Sequence, residues 1–421
     1  REKWRYYPGN KLASHALGII GYLDDTIGGR YGLERYYDDV LQRNSSIYAN
    51  FFAEIFHSVN DKVLKNQRSE GDIVTTIEPN VQTLLEKELG EITKRWDSKS
   101  SGGIIINPVT GEVYAMAALP NFDPNSFRDE HQSVFVNPLI ESVYEMGSII
   151  KPLTMAAGVD SGAVSAKTRY VDKGFLVLNG SKISNYDGKG RGEVDMETVL
   201  SKSLNTGVAF IVTKMGKSKF SEYMLNFGLG EETGIDLPNE AMGLVENLKS
   251  TRDIEHATAS YGQGIAMTPI ITVRALTALA NGGLLVNPYL VKRIEYDVGL
   301  KKNISSPPGK RVIKEETAEE ITRMLVKVVD TALLEGAIKI ENYSVAAKTG
   351  TAQIPAPDGG YYKDRYLHSF FGYFPAYNPK FLVFLYTIEP KGVNYASHTL
   401  THPFAAITKY LISYYNLPPD R

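Results

Sequence analysis

A serine alcohol is a weak nucleophile, and a neighbouring amine can activate it by taking its proton, provided the amine is neutral. Among the serines of this chain, Ser148 alone has a lysine three residues on, in Glu145-Met146-Gly147-Ser148-Ile149-Ile150-Lys151-Pro152. If that stretch opens a helix, positions i and i+3 share a face one turn apart, and the hydroxyl sits beside the amine. Gly147 allows a sharp backbone turn just before the serine. The pair alone proves little, because roughly one or two Ser-x-x-Lys pairs arise by chance in a chain of this size.

Two further fragments follow in a fixed order. Ser203-Leu204-Asn205 comes 55 residues later, and Lys348-Thr349-Gly350-Thr351 another 145 residues on. Lys348-Thr349-Gly350 is the single Lys-Thr-Gly in the chain, where chance gives about one per ten such chains. Ser-x-x-Lys, Ser-Asp-Asn and Lys-Thr-Gly together are the signature of serine β-lactamases and penicillin-binding proteins. The middle fragment departs from Ser-Asp-Asn at its centre but keeps both hydrogen-bonding ends.

The elements that must position these residues can be read from the patterning. Val81, Leu84, Leu85 and Leu89 fall on one helical face after Glu78-Pro79-Asn80. Gly103 to Ile106 and Glu112 to Met116 flank a turn at Asn107-Pro108-Val109-Thr110-Gly111, which predicts a hairpin. Helices are expected over 151–160, 269–280 and 314–333, the last with acidic residues in its first turn. Val345 to Thr351 reads as a strand. His368 to Phe374 and Lys380 to Ile388 read as a second hairpin, and His402 to Tyr415 as a closing helix. Gln353 to Tyr366, with Pro355, Pro357, Gly359 and Gly360, reads as a loop over the cleft mouth. The expected fold is therefore α+β, an antiparallel sheet flanked by helices.

The 421 residues suffice for two or three domains. Composition is ordinary for a globular protein, with 43% hydrophobic and 22% charged residues. A net charge of −2 gives no support for nucleic-acid binding. The chain has no cysteine, which excludes thiol catalysis and disulfide scaffolds. No apolar run is long enough to span a membrane. The start at Arg1-Glu2-Lys3 reads as an excised soluble region whose anchor lay upstream.

With these motifs in order, the chain resembles the class B penicillin-binding proteins, the monofunctional D,D-transpeptidases of peptidoglycan. Phrases between the motifs carry the resemblance too. They are Thr110-Gly111-Glu112-Val113-Tyr114-Ala115-Met116 with Pro120 to Asn125, Phe227-Gly228-Leu229-Gly230 leading to Gly234-Ile235-Asp236-Leu237-Pro238, and Tyr261-Gly262-Gln263-Gly264 with Thr268-Pro269. Upstream, Tyr7-Pro8-Gly9, His15 to Gly18 and Gly32-Leu33-Glu34 resemble part of the family's non-catalytic pedestal. The resemblance implies a partial pedestal over 1–75 and a serine β-lactamase/transpeptidase-like domain over 76–421.

It also implies roles. Ser148 attacks the D-Ala-D-Ala carbonyl of a donor stem peptide, and Lys151 takes its proton. Ser203 relays a proton to the leaving amine. Asn205 holds a substrate amide. Lys348, Thr349 and Thr351 receive the terminal carboxylate, and Gly350 leaves room for substrate against the strand. The backbone N–H groups of Ser148 and Thr351 form the oxyanion hole, and an amine acceptor resolves the acyl-enzyme. The implied partners are peptidoglycan stem peptides, β-lactam antibiotics and a membrane glycan polymerase of the SEDS family. The implied location is the cell membrane, with the catalytic domain outside the cytoplasm. No cofactor and no metal is expected.

Other readings are weaker. A serine β-lactamase or D,D-carboxypeptidase shares the first half-reaction but accepts water at the second, and no motif places a glutamate to activate that water. A catalytically silent scaffold would have no need of all the motif side chains. His398 and His402 are spaced i, i+4, but no glutamate follows His398, so the metalloprotease pattern fails. Gly228-Leu229-Gly230 with Gly234 misplaces the third glycine of a dinucleotide fingerprint.

Overall fold

The computed structural model describes residues 4–23, 26–42, 70–297 and 299–421. Its centre is α1 (Pro79–Arg95), β1 (Ser100–Ile106), β2 (Val113–Leu119), α2 (Lys151–Asp160), α3 (Asn205–Met215), α4 (Pro269–Ala280), α5 (Glu315–Lys327), β3 (Ala346–Pro355), β4 (Tyr361–Phe374), β5 (Phe381–Ile388) and α6 (Thr401–Tyr414). The five strands form one antiparallel sheet in the order β3-β4-β5-β1-β2, so β3 is an edge strand. The expected α+β arrangement of sheet and flanking helices is what the chain adopts.

Helix α1 starts where the Glu78 carboxylate accepts from Val81 N at 2.9 Å and Pro79 takes the first turn. Its stripe of Val81, Leu85, Leu89 and Ile92 is buried against β1 and β2. Gln82, also buried, donates to Met116 O at 3.0 Å and accepts from Met116 N at 2.9 Å. The helix thus satisfies backbone groups that edge strand β2 would otherwise leave bare.

Helix α2 is buried almost all round, from Lys151 to Gly158, the pattern of a central core helix. A Cβ at Gly158 would lie 2.4 Å from Ile211 Cγ2, so this glycine permits the close crossing of α2 over α3. Helix α5 ends in a wide turn over Val328–Ala332, followed by Leu334 and Glu335 at φ +45° and +56°. The single helix expected over 314–333 is therefore broken at its C-terminal end, which becomes a wall of the groove described below.

The expected loop over 353–366 is a correction. Strands β3 and β4 continue through it, with Gln353 opposite Tyr366 and Pro355 opposite Tyr361 across a bulge. Only Ala356 to Gly360 turns. The two glycines take φ +92° and +72° there, and Pro355 is tolerated because it ends an edge strand.

The first residues are held on the body. Tyr7 N donates to Asn125 Oδ1 at 2.9 Å, Ala13 N to Glu86 Oε1 at 2.8 Å, and Tyr37 OH to Asp236 Oδ2 at 3.1 Å. A hairpin that the sequence reading did not foresee, Ile20–Leu23 with Thr26–Gly29, lies in this region. The strand Gly71–Thr75 pairs with Val291–Tyr296, so the end of the expected pedestal region joins a strand from the larger part. Residues 43–69 of that region lie outside the described residues.

Candidate active site

Ser148 lies in one 3₁₀ turn, Gly147–Ile150, which runs straight into α2 at Lys151. The turn is wedged between β3 and the segment Tyr261–Gly264. Gly147 N donates to Gly262 O at 3.1 Å. Gly147 has φ +64°, and a Cβ there would come within 2.7 Å of Thr351 O. Only glycine suits that combination of backbone and space. The Thr351 carbonyl therefore points from the free edge of β3 toward the serine turn. In an extended strand a residue's N–H points the same way as its C=O, so the Thr351 N–H faces that edge too.

Ser203 caps the short helix Met196–Ser201. Ser203 N donates to Leu200 O at 3.2 Å and Leu204 N to Val199 O at 2.9 Å, the Schellman pair that places the intervening residue in the left-handed region. Ser203 has φ +53°. Glycine is the ordinary occupant of such a position; here the residue brings a hydroxyl into the groove.

Two buried lysine side chains converge on that hydroxyl. Lys151 Nζ donates to Ser203 O at 2.6 Å and lies 3.1 Å from Ser203 Oγ. Lys348 Nζ lies 3.1 Å from the same Oγ and donates to Thr349 O at 3.1 Å. Neither lysine has an ion-pair partner among the described residues. Burial first, and the charge of Lys348 second, push Lys151 well below the ordinary lysine range. Burial alone brings Lys348 down to about 8. Two buried like charges this close do not both persist near neutral pH. The pair favours a neutral amine at Lys151 and a charge at Lys348.

Asn205 opens α3, and its Nδ2 donates to Ser184 O at 2.9 Å, which leaves Oδ1 free to accept an N–H from a ligand. The next residue anchors it. Thr206 Oγ1 donates to Asp172 Oδ1 at 2.8 Å, and Asp172 also accepts from Asn185 Nδ2 at 3.0 Å, Gly174 N at 2.9 Å and Arg191 N at 3.0 Å. Thr351 Oγ1 accepts from Ala396 N at 3.1 Å, which leaves its proton to donate.

Most of the predicted site residues line one groove of about 810 Å³; Lys151 is not part of its lining. Ser148, Ser203, Asn205, Lys348, Thr349 and Thr351 all border it. Gly350 does not. A Cβ at Gly350 would meet Ser369 Oγ at 2.3 Å, Met146 O at 2.7 Å and Ile149 Cγ2 at 3.0 Å. The glycine faces inward, and the crowding that requires it comes from Ser369 on β4 and from the serine turn, not from substrate. His398 and His402, weighed as metal ligands in the sequence, are exposed and outside the groove.

Tyr261 and Gln263 stand in the sequence only as part of a family phrase, yet they border the groove, and so do Tyr186 and Tyr395, which carry no signal there. The Tyr186 and Tyr395 rings meet edge to face at 5.7 Å. The chain has 26 tyrosines, so no composition signal could single out Tyr186 and Tyr395. A carboxylate outside the groove lining was also missed: Glu145, three residues before Ser148, accepts from Gly264 N at 2.9 Å and Tyr361 OH at 3.1 Å.

Chemically, the site offers a hydroxyl on a helix start, a buried amine that favours its neutral form, a bridging hydroxyl, and a cation with two threonine hydroxyls at a strand edge. That set suits acyl transfer to serine from a substrate bearing a carboxylate.

Residues 102–409 match the penicillin binding protein transpeptidase domain. The chain is 33% identical over 411 residues to stage V sporulation protein D of Bacillus subtilis, covering 95% of this chain and 62% of that protein. It is 26% identical over 427 residues to the peptidoglycan D,D-transpeptidase FtsI of Escherichia coli, covering 100% of this chain and 68% of that protein. Penicillin binding protein 3 of Mycobacterium tuberculosis, solved in complex with aztreonam, superposes with a TM-score of 0.84 at 25% identity, covering 99% of this chain and 91% of that one.

Proposed function

The chain belongs to the penicillin-binding protein transpeptidase family, and we propose that it is a peptidoglycan D,D-transpeptidase that works through a serine acyl-enzyme and is inhibited by β-lactams. The observation that carries this reading is the Ser203 hydroxyl, within 3.1 Å of both Lys151 and Lys348, in the groove that Ser148 borders.

In the first half-reaction Ser148 Oγ attacks the carbonyl between the last two D-alanines of a donor stem peptide. The neutral Lys151 amine takes the serine proton. The oxyanion forms between the N–H groups of Ser148 and Thr351, the latter at the free edge of β3. Ser203 passes the proton from Lys151 to the leaving D-alanine amine. Asn205 Oδ1 accepts a substrate backbone N–H. Lys348, with the Thr349 and Thr351 hydroxyls, holds the terminal carboxylate. An amine from a second stem peptide then takes the acyl group. Gly350 contributes by letting β3 pack against the serine turn.

On this reading residues 1–75 form a non-catalytic, pedestal-like region and 76–421 the transpeptidase domain. Among the described residues no helix is long and apolar enough to cross a membrane. The catalytic domain acts at the cell membrane, outside the cytoplasm, beside a glycan polymerase of the SEDS family; the family resemblance supports both assignments. The sporulation and FtsI relatives support a place in building cell wall during division or spore formation.

Intact-mass analysis after incubation with penicillin tests the reading. The expected result is one long-lived adduct on the wild type and none on Ser148→Ala. Equal labelling of both proteins sinks the serine assignment. Rapid loss of the adduct to water points instead to a β-lactamase.

A further inference from the structure

We propose that Glu145 binds the acceptor amine in the second half-reaction and takes its proton. The proposal rests on the transpeptidase reading above, which assigns no group to take the first proton of the acceptor ammonium.

Glu145 directly precedes Met146 and the serine turn. Its Oε1 accepts from Gly264 N at 2.9 Å and Tyr361 OH at 3.1 Å. Its Oε2 is buried and has no hydrogen-bond partner. No lysine or arginine pairs with it among the described residues. A buried carboxylate oxygen with no donor is costly, so the arrangement calls for an explanation. Burial raises the carboxyl above its ordinary range, against the pull of the Gly264 and Tyr361 hydrogen bonds. A carboxylate raised in this way is better matched to taking a proton near neutral pH.

Glu145 does not itself border the groove, but its neighbours tie it there. Tyr261 and Gln263 border the groove with Ser148, on either side of Gly262, which holds Gly147 N. The charge of Glu145 helps raise the Tyr261 hydroxyl, after burial. The carboxylate therefore stands beside the wall that carries the nucleophile.

Tyr361 sits at the end of the β3–β4 turn, where it acts as a stand-in donor. An acceptor ammonium carries the same kind of polar hydrogen with a full charge, and charge-assisted hydrogen bonds are roughly twice as strong as neutral ones. The acceptor displaces the tyrosine hydroxyl, and the turn, exposed from Pro357 to Gly360, lets the tip give way.

The step balances. The ammonium gives one proton to the Glu145 carboxylate and becomes a neutral amine. The amine nitrogen bonds to the ester carbonyl carbon as the bond from that carbon to Ser148 Oγ breaks. A second N–H proton passes through Ser203 and Lys151 to Ser148 Oγ. The products are an amide and free serine, and the Glu145 carboxylic acid returns its proton to solvent.

The test uses the protein with a thioester analogue of the donor and D-alanine as the acceptor probe, and reads the ratio of aminolysis to hydrolysis. Glu145→Gln keeps the side-chain shape and a hydrogen bond to Gly264 but cannot take the proton. The ratio is expected to fall by at least about a hundredfold, the lower end of a general base's contribution, while the protein still accepts labelled penicillin. A ratio within about twofold of wild type overturns the proposal. Should the glutamine variant not fold, Tyr361→Phe decides: loss of the capping hydroxyl is expected to lower the D-alanine concentration for half-maximal transfer severalfold, and an unchanged value overturns the proposal. A wild type that never takes up penicillin overturns the transpeptidase reading itself, a result distinct from either of these.

Discussion

Lys151 and Lys348 share one acceptor, each ammonium lying 3.1 Å from the Ser203 hydroxyl oxygen. Each lysine's protonation therefore depends on the other's, and the acylation rate reports the pair. On the proposed mechanism Lys151 must be neutral to accept a proton, so the rate rises with pH as it deprotonates; Lys348 must be charged to attract the carboxylate, so the rate falls again as pH passes about 8. A bell-shaped profile of penicillin acylation is expected. In Lys348→Met the charge that helps hold Lys151 down is gone, and the acidic limb should move to higher pH. An acidic limb that stays in place would show that Lys348 does not tune Lys151.

Replacing Lys151 by arginine keeps charge and most of the length, but a guanidinium cannot give up its proton. Acylation is expected to fall by at least about a hundredfold. Stopped-flow labelling with a fluorescent penicillin measures it, with a far-UV spectrum as the folding control. Acylation near the wild-type rate would refute the base assignment.

At position 203 backbone strain and chemistry can be separated. Ser203→Ala and Ser203→Gly both remove the hydroxyl shared by the lysines, so both should lose acylation to a similar extent. They differ in how they tolerate φ +53°. The left-handed region costs a residue with a Cβ roughly 1–2 kcal/mol relative to glycine, offset in part by the entropy of the unfolded glycine chain. Urea melts should find the glycine variant more stable than the alanine variant by about 1 kcal/mol. Equal stability would mean that the cap is relaxed.

What the sequence made legible was local. Ser148 and Lys151 are one helical turn apart, and that spacing can be read directly. The contact between Lys348 and Ser203 spans 145 residues; the ordered motifs implied it, but only the fold supplies its geometry. Glu78, Pro79 and the Val81 stripe announced α1. The stretch 353–366 was misread because Pro355, Pro357, Gly359 and Gly360 dominate its composition, while only Ala356 to Gly360 turns. The Ile20–Leu23 hairpin gave no signal, since glycines both punctuate it and populate loops. Glu145 stood beside Ser148 in plain view, yet nothing in the sequence brings Tyr361 to it across 216 residues.

The correction at Gly350 gives the last prediction. If this glycine clears space for substrate, Gly350→Ala leaves the fold intact and weakens substrate binding alone. The geometry says otherwise, because the new methyl would enter a space already held by Ser369 Oγ at 2.3 Å and Met146 O at 2.7 Å. Ser369 Oγ donates to that same Met146 carbonyl at 2.7 Å, so the methyl would break a buried hydrogen bond as well as overpack. Overpacking typically costs about 1–3 kcal/mol, and a buried carbonyl left without its donor adds to that. Gly350→Ala should therefore lower the urea midpoint, and by pushing the Met146–Ser148 turn off β3 it should slow acylation by penicillins of every side-chain size alike. Shortening the neighbour with Ser369→Ala in the same chain should restore part of the loss, because it removes the atom closest to the new methyl. A Gly350→Ala protein of wild-type stability that discriminates only among bulky substrates would return the glycine to the substrate face.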